Sequence, residues 1–273
     1  MNMKEQNILL FTRTMALGGT ENVVLQLCEI LKPIVNKVIV CSCGGVNEIK
    51  LKKMGIKHYT IPDITKKSPK TIFSIAKQLK QIVKTEKITI IHSHHRMAAF
   101  YAELLFGYKI VKIANAHNTF FDKRRLTRFA YRDTYVVAVG EKVKENLVDF
   151  YSVPEKQVTV IHNAIKQFEG EILPLKEMQE AKEAGYTLVG NIGRLSEQKG
   201  MVYFIQAVAK IREKCPKVKF YIVGSGELED ELKKESDRLL LGDTLFFLGY
   251  RSDIQNVMAQ FDFIVSSRRR YRE

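Results

Sequence analysis

Three short segments in the last third of the chain hold residue types able to manage phosphate charge. Gly193-Arg194-Leu195-Ser196-Glu197-Gln198-Lys199-Gly200 puts a guanidinium fork and an ammonium on one glycine-bounded loop that opens a helical pattern. At a helix N-terminus such a pair suits a pyrophosphate, and it can neutralise negative charge as that charge develops. Val223-Gly224-Ser225-Gly226-Glu227 follows, then Leu248-Gly249-Tyr250. The Gly-x-Gly pair lacks the third glycine of a dinucleotide fingerprint, which argues against a nicotinamide enzyme. Gly249 would let backbone approach a flat ring. Each glycine alone also reads as a helix–strand turn; three such strand ends in succession point to a nucleotide site.

Three further segments stand in the first part. Met15-Ala16-Leu17-Gly18-Gly19-Thr20-Glu21 follows a short apolar run and opens a helix. Gly18 and Gly19 would let backbone come close to a ligand, Thr20 is a candidate N-cap, and the helix start favours an anion. An ordinary Gly-Gly turn fits the same residues. His92-Ser93-His94-His95 and Ala116-His117-Asn118 gather histidines at two strand ends. No carboxylate or cysteine stands at ligand spacing, so no metal is expected. The histidines either line a polar cleft, bonding sugar or phosphate oxygens, or satisfy loop backbone. Cys28, Cys41, Cys43 and Cys215 make no disulfide framework in so long a chain and read as reduced thiols.

These residues need a scaffold, and the apolar pattern describes one. Short apolar runs alternate with helix-period segments, which predicts parallel sheets covered by helices. The strands expected in the first part are Ile8–Phe11, Val38–Cys41, His58–Ile61, Ile88–His92, Val111–Ala116, Tyr135–Ala138 and Val158–Ile161, with helices including Glu21–Leu31, Thr71–Lys84, Ala98–Phe106 and Glu141–Phe150. Residues 166–185 turn polar and Glu-rich and read as an interdomain connection, partly helical. Alternation restarts with strands at Thr187–Ile192, Phe220–Val223, Leu245–Leu248 and Phe261–Val265, and with helices near Val202–Arg212 and Leu228–Leu239. The expected fold class is α/β: two successive doubly wound domains, residues 1–165 and 186–273, joined by 166–185. In such sheets ligands bind beyond the carboxyl ends of the strands, where all six segments stand.

The 273 residues are 45% hydrophobic and 27% charged, which excludes a disordered, collagen-like or disulfide-stapled chain. No apolar run approaches the length of a membrane span, and the N-terminal one is too short for a signal peptide, so a soluble, intracellular protein is expected. The net charge of +14 is unevenly placed. Residues 1–165 carry 26 Lys and Arg against 13 Asp and Glu; the remainder is nearly neutral. The excess concentrates in Lys66-Lys67-Ser68-Pro69-Lys70, with Lys77, Lys80 and Lys84 beyond it, and in Lys123-Arg124-Arg125-Leu126-Thr127-Arg128. Neither stretch has an RNA-recognition pattern; a solvated face or an anionic membrane surface fits both.

The order of the segments resembles the family 4 glycosyltransferases, retaining enzymes of the GT-B fold. It rests on Gly18-Gly19-Thr20-Glu21, His92-Ser93-His94, Ala116-His117-Asn118, Val160-Ile161-His162-Asn163, Gly193-Arg194 through Lys199-Gly200, Val223-Gly224-Ser225-Gly226, Phe247-Leu248-Gly249-Tyr250 and Phe261-Asp262-Phe263-Ile264-Val265-Ser266-Ser267. The resemblance implies two Rossmann-like domains facing a cleft, and transfer of a hexose-type sugar from a nucleotide-sugar to a cell-surface glycan or lipid-linked acceptor. It implies that Arg194 and Lys199 hold the donor diphosphate, that His117 contacts the donor sugar, and that Gly18 and Gly19 pack near it. Gly193, Gly224 and Gly226 belong to the donor loops, and Gly249 and Tyr250 border the base. No metal or cofactor is required. A cytoplasmic protein, peripheral on the inner face of a membrane, is expected. One departure stands out: the family carries a Glu-(seven residues)-Glu pair after Ser267, where this sequence has Arg268 to Glu273. A C-terminally truncated donor domain, or a degenerate homologue that binds nucleotide or a partner transferase without turnover, accounts for that.

Overall fold

The computed structural model describes residues 2–66, 68–165 and 168–268. Lys67 of the first basic stretch and Arg269 to Glu273 of the tail lie outside the described residues. The chain divides into two units, Met1–Ile165 and Lys166–Glu273.

The first unit runs β1 (Asn7–Phe11), α1 (Gly19–Leu31), β2 (Lys37–Ser42), α2 (Glu48–Lys53), β3 (Lys57–Thr60), α3 (Pro69–Thr85), β4 (Ile90–Ser93), α4 (Arg96–Glu103), β5 (Val111–Ala116), α5 (Arg124–Ala130), β6 (Tyr135–Ala138), α6 (Glu141–Glu145) and β7 (Val158–Val160). The sheet order is β3-β2-β1-β4-β5-β6-β7, and every neighbouring pair is parallel. Order reverses at β1, whose neighbours are β2 and β4, so the crevice beyond these strand ends is where such a sheet takes ligands. The run Asn-Ile-Leu-Leu-Phe of β1 is buried throughout because helices cover both faces. Leu9 and Phe11 pack with Ile75 and Leu79 of α3 and with Ala98 and Tyr101 of α4. Ile8 and Leu10 pack on the other face with Val24, Leu25 and Cys28 of α1. The start of α3 is sharp: Pro69 is its first residue, and the Ser68 hydroxyl accepts from the Thr71 amide at 3.1 Å.

The second unit runs α7 (Lys176–Glu183), β8 (Thr187–Ile192), α8 (Met201–Ile211), β9 (Val218–Val223), α9 (Glu229–Arg238), β10 (Leu245–Gly249), α10 (Ile254–Met258) and β11 (Phe263–Ile264). Its parallel sheet has the order β10-β9-β8-β11.

Three elements differ from the sequence expectation. The stretch 166–185 is more than a connection, since Met178 and Ala181 of α7 are buried with Leu188, Tyr221 and Val223. The helix expected over Glu141–Phe150 stops at Glu145 and continues as a wider π turn, Asn146–Phe150, in which Asn146 is buried. The Asn146 side chain there donates to the Phe120 carbonyl and accepts from the Phe120 amide. The second basic stretch is partly helical as α5, because Thr127 and Ala130 bury against the fold among the arginines. Among the described residues no helix is long and apolar enough to cross a membrane.

Candidate functional site

At the carboxyl ends of β4 and β5 the first unit holds a cavity of about 380 Å³. Its polar wall is His94, His95, Asn115 and His117; its apolar wall includes Met97, Phe100, Leu126 and Leu147; Lys66 and Lys123 supply charge. The histidines form a row. His92 and His94 lie 4.4 Å apart by ring centroids, and His94 stacks on His117 at 5.7 Å. His92 donates from Nε2 to Asn115 Oδ1 at 2.7 Å, which fixes its tautomer. His95 serves the backbone instead: its Nδ1 caps α4 by accepting from the Met97 amide at 3.0 Å.

Burial keeps these rings neutral. It lowers His92 and His117, lowers His94 further with help from its two neighbours, and takes His95 down to about 4, aided by Arg13 and Arg96. His94 is 3% exposed, and neither of its ring nitrogens has a hydrogen-bond partner among the described residues; His117 Nε2 and Ser93 Oγ are in the same condition. A neutral imidazole offers one donor and one acceptor, and leaving either unmet costs about 1–3 kcal/mol. A hydroxyl-bearing molecule can meet both at once, which a bare anion cannot.

The Gly18-Gly19 loop borders this cavity through Thr20, one of its lining residues. Gly18 is extended, and a Cβ on Gly19 would meet nothing within 4 Å, so the fold itself does not demand glycine there. The loop before it is held from β2. Met15 N donates to Gly44 O and Asn47 N to Met15 O, both at 2.9 Å, and a Cβ on Gly45 would strike the Met15–Ala16 backbone. That arm is itself clipped: Ser42 Oγ meets His58 Nε2 at 2.8 Å, and His58 Nδ1 meets Glu48 Oε2 at 3.2 Å. This row has the order of a hydrolytic triad. Ser42 is buried, however, and its oxygen already accepts from the Gly44 amide at 3.0 Å, so the row works as a brace.

Arg96 contributes to the site although its sequence context does not mark it. Polar and aromatic groups surround it: it holds Asp122 at 2.8 Å and Thr127 Oγ1 at 3.1 Å and stands 5.2 Å over the Phe120 ring. It thereby fixes residues 120–127, which form one side of the cavity. Nothing in a lone Arg, 26 residues from its acid, signals that pairing.

In the second unit the three glycine-bearing strand ends are laced by backbone. Gly193 N donates to Val223 O at 2.9 Å, Leu195 N to Ser225 O at 3.0 Å, and Gly224 N to Gly249 O at 2.8 Å. Gly224 has φ +138, and a Cβ there would collide with the Gly193 carbonyl; one on Gly226 would collide with Leu195. So Gly193, Gly224, Gly226 and Gly249 are brought together; close packing accounts for glycine at 224 and 226, while Gly249 has φ +63 with nothing within 4 Å of a Cβ. The stem of Lys199 runs beside Gly193, with Cε 3.4 Å from where a Cβ would stand. Arg194 is exposed (68% of its side chain) and held by Glu227 at 3.2 Å. Tyr250 is 54% exposed beyond β10. Ser267 ties the last strand to this loop: its hydroxyl donates to the Lys199 carbonyl at 3.0 Å and accepts from Asn191 at 2.8 Å. Among the described residues no three His, Cys, Asp or Glu are grouped to hold a metal ion.

Comparison with known proteins decides the family. The profile of Glycosyltransferase Family 4 matches residues 17–166, more than half of the chain, and that of Glycosyl transferases group 1 matches 175–273. The chain belongs to glycosyltransferase family 4. One of the subunits of the phosphatidylinositol N-acetylglucosaminyltransferase of Homo sapiens is 26% identical over 262 residues, 89% of this chain and 53% of that protein. An uncharacterised glycosyltransferase of Methanocaldococcus jannaschii is 28% identical over 62% of this chain and 48% of its own. The family 4 chain thus spans about half the length of these curated relatives. Among solved structures, HepE of Anabaena in complex with UDP superposes with a TM-score of 0.78 at 20% identity, covering 96% of this chain and 74% of that one. A Rickettsia africae glycosyltransferase superposes with a TM-score of 0.77 at 20% identity, over 96% and 73%. These likenesses show the fold: α/β, with the Rossmann-like units of GT-B glycosyltransferases.

Proposed function

We propose that this family 4 chain transfers a sugar from a nucleotide-sugar donor to a hydroxyl of a cell-surface glycan or lipid-linked acceptor, with retained configuration. The observation that carries the reading is the loop Gly193–Gly200, where Arg194 and Lys199 stand on a glycine-packed strand end. Structures of HepE, similar in fold, hold UDP and UDP-glucose. In the transfer, the bond from the anomeric carbon to the diphosphate oxygen breaks. The acceptor oxygen bonds to that carbon on the same face, and its proton leaves with the diphosphate. Arg194 and Lys199 stabilise the departing charge, the largest electrostatic demand of the step. The buried His94 and the half-buried His117, both held uncharged, suit sugar hydroxyls. No metal or cofactor is assigned.

Calorimetric titration with UDP tests the donor site. Arg194→Ala and Lys199→Ala are each expected to weaken binding roughly tenfold, the scale of a charge-assisted hydrogen bond. Unchanged affinity in both variants would remove the nucleotide from this loop. Binding without release of free sugar from any UDP-sugar would instead favour a degenerate homologue that binds without turnover.

A further inference from the structure

The arm that holds the loop before Gly18 is a closed circuit of hydrogen bonds. Gly44 and Gly45 stand at φ +95 and +149, a backbone region open to glycine, and need outside support to keep one conformation. Their two amides are the ends of the circuit. The Gly44 amide donates to Ser42 Oγ at 3.0 Å, and the Gly45 amide donates to Glu48 Oε1 at 2.8 Å. His58 joins those side chains, with Nε2 2.8 Å from Ser42 Oγ and Nδ1 3.2 Å from Glu48 Oε2. The direction of each bond follows. A carboxylate can only accept, so Nδ1 carries the proton, and Nε2 accepts from the Ser42 hydroxyl. Ser42 is fully buried and the His58 side chain is 9% exposed, so water has little access to either.

The glycines so fixed grip the next loop. Besides the bonds of Met15 to Gly44 and of Asn47 to Met15, the buried Asn47 donates from Nδ2 to the Ala16 carbonyl at 2.6 Å. From Ala16 the chain runs on to Gly18, Gly19 and the cavity-lining Thr20. The circuit needs a neutral ring at position 58. A second proton would turn Nε2 into a donor and leave the buried Ser42 hydroxyl hydrogen without an acceptor. Burial disfavours that proton, while Glu48 favours it. The groups facing the ring are Ser42 from β2, Thr60 from β3, with Oγ1 at 3.4 Å, and Glu48 from α2. Glu48 is the charged one of the three.

We infer that Ser42, His58 and Glu48 are positioning residues: through Gly44, Gly45 and Asn47 they hold Met15–Thr20 in one arrangement at the edge of the cavity. Acid releases the loop by charging His58. What the loop does at the cavity rests on the transferase reading; the circuit does not, and UDP binding has no part in its test.

Amide hydrogen exchange of the whole chain, expressed as protection factors so that the intrinsic pH dependence drops out, reads the loop directly. The Met15 and Asn47 amides report the grip on the loop. Leu10 and Ile91 report the sheet beside it. Ser42→Ala should lower protection at Met15 and Asn47 roughly fivefold to tenfold, the loss of one hydrogen bond, with Leu10 and Ile91 unchanged. In the parent chain, going from about pH 7 to about pH 5 should lower the two loop amides relative to the sheet amides. His58→Gln keeps one donor and one acceptor but takes up no proton. It should retain more protection than Ser42→Ala and lose the pH dependence. Glu48→Gln should move the release to lower pH, because the carboxylate favours the charged ring. Equal loss at loop and sheet in Ser42→Ala would make the circuit ordinary packing. The parent pH profile persisting in His58→Gln, or release in Glu48→Gln at the same or a higher pH, would equally overturn the inference.

Discussion

The histidines at the strand ends of residues 1–165 are buried or half-buried and held uncharged, whereas at the strand ends of residues 166–273 the cations Arg194 and Lys199 are exposed and partly exposed. His92, His94 and His117 form a row of rings, His94 stacked on His117, kept neutral by burial. Arg194 and Lys199 sit on a solvent-facing loop whose geometry comes from backbone lacing and missing Cβ atoms. A neutral ring in a low-dielectric wall selects groups that both donate and accept; an exposed cation pair selects charge and is screened by salt. The same sheet architecture thus supplies two kinds of recognition, set by whether the strand-end residue is covered. That difference also fixes how each unit should respond to acid.

All six histidines of the chain stand in residues 1–165. His92, His94, His95 and His117 have folded values below the ordinary 6.5, so the unfolded chain binds more protons than the folded one once pH falls under about 6.5. The stability these groups contribute is complete above that pH and is lost on the way down, for His95 until about pH 4. Each ring that stays neutral costs up to about 1.4 kcal/mol per pH unit in this window. The first unit should therefore lose stability as pH falls from about 6.5, over a range that reaches about pH 4 for His95, while the second, without a histidine, has no such loss. Hydrogen exchange resolved by segment measures both; parallel loss in the two units would break the contrast.

How much of this was legible beforehand follows the same divide. The strand ends were readable because continuous apolar runs such as Ile8 to Phe11 end in polar residues, and the glycine loops because Gly193, Gly224, Gly226 and Gly249 punctuate them. Partnerships were not readable where they join distant positions. Arg96 with Asp122, and Ser42 with His58, depend on which strands lie side by side, which composition does not reveal. The stretch that holds helix α7 read as a partly helical connection, but its packing into the core did not show, because only Met178 and Ala181, one turn apart, are buried there. Glu227 was given no role beside the Gly-x-Gly pair, although it is the residue that holds Arg194.

A backbone change sharpens the contrast from the side of the second unit. Gly224→Ala would place a methyl against the Gly193 carbonyl at φ +138, a conformation that side chains rarely adopt. Strain and displacement together should cost about 3 kcal/mol and disturb the loop that carries Arg194 and Lys199. The expected outcome is faster exchange in β8 and β9, loss of UDP binding, and unchanged protection in β1, β4 and β5. Gly19→Ala is the matched control in the first unit, since a Cβ there meets nothing within 4 Å, and its effect should stay within about 0.5 kcal/mol. Similar losses from both glycines would mean that the second unit's loop is not held by close packing.

The smallest effect asks what the exposed ion pair is for. Arg194 and Glu227 lie on the surface, at 68% and 55% side-chain exposure, where such pairs contribute little to stability because water and salt screen them. Glu227→Gln should therefore change unfolding stability by no more than about 0.5 kcal/mol. It should raise UDP affinity a few-fold, because a diphosphate approaching Arg194 no longer has to displace a carboxylate of like charge. The gain should shrink as salt is added, since both the pairing and the repulsion are screened. If Arg194 existed to anchor Glu227, the variant would lose stability and leave UDP binding unchanged. Thermal unfolding and calorimetry on one preparation separate these outcomes, and the double variant Arg194→Ala with Glu227→Gln should erase the gain, because the guanidinium that the glutamate had occupied is then absent.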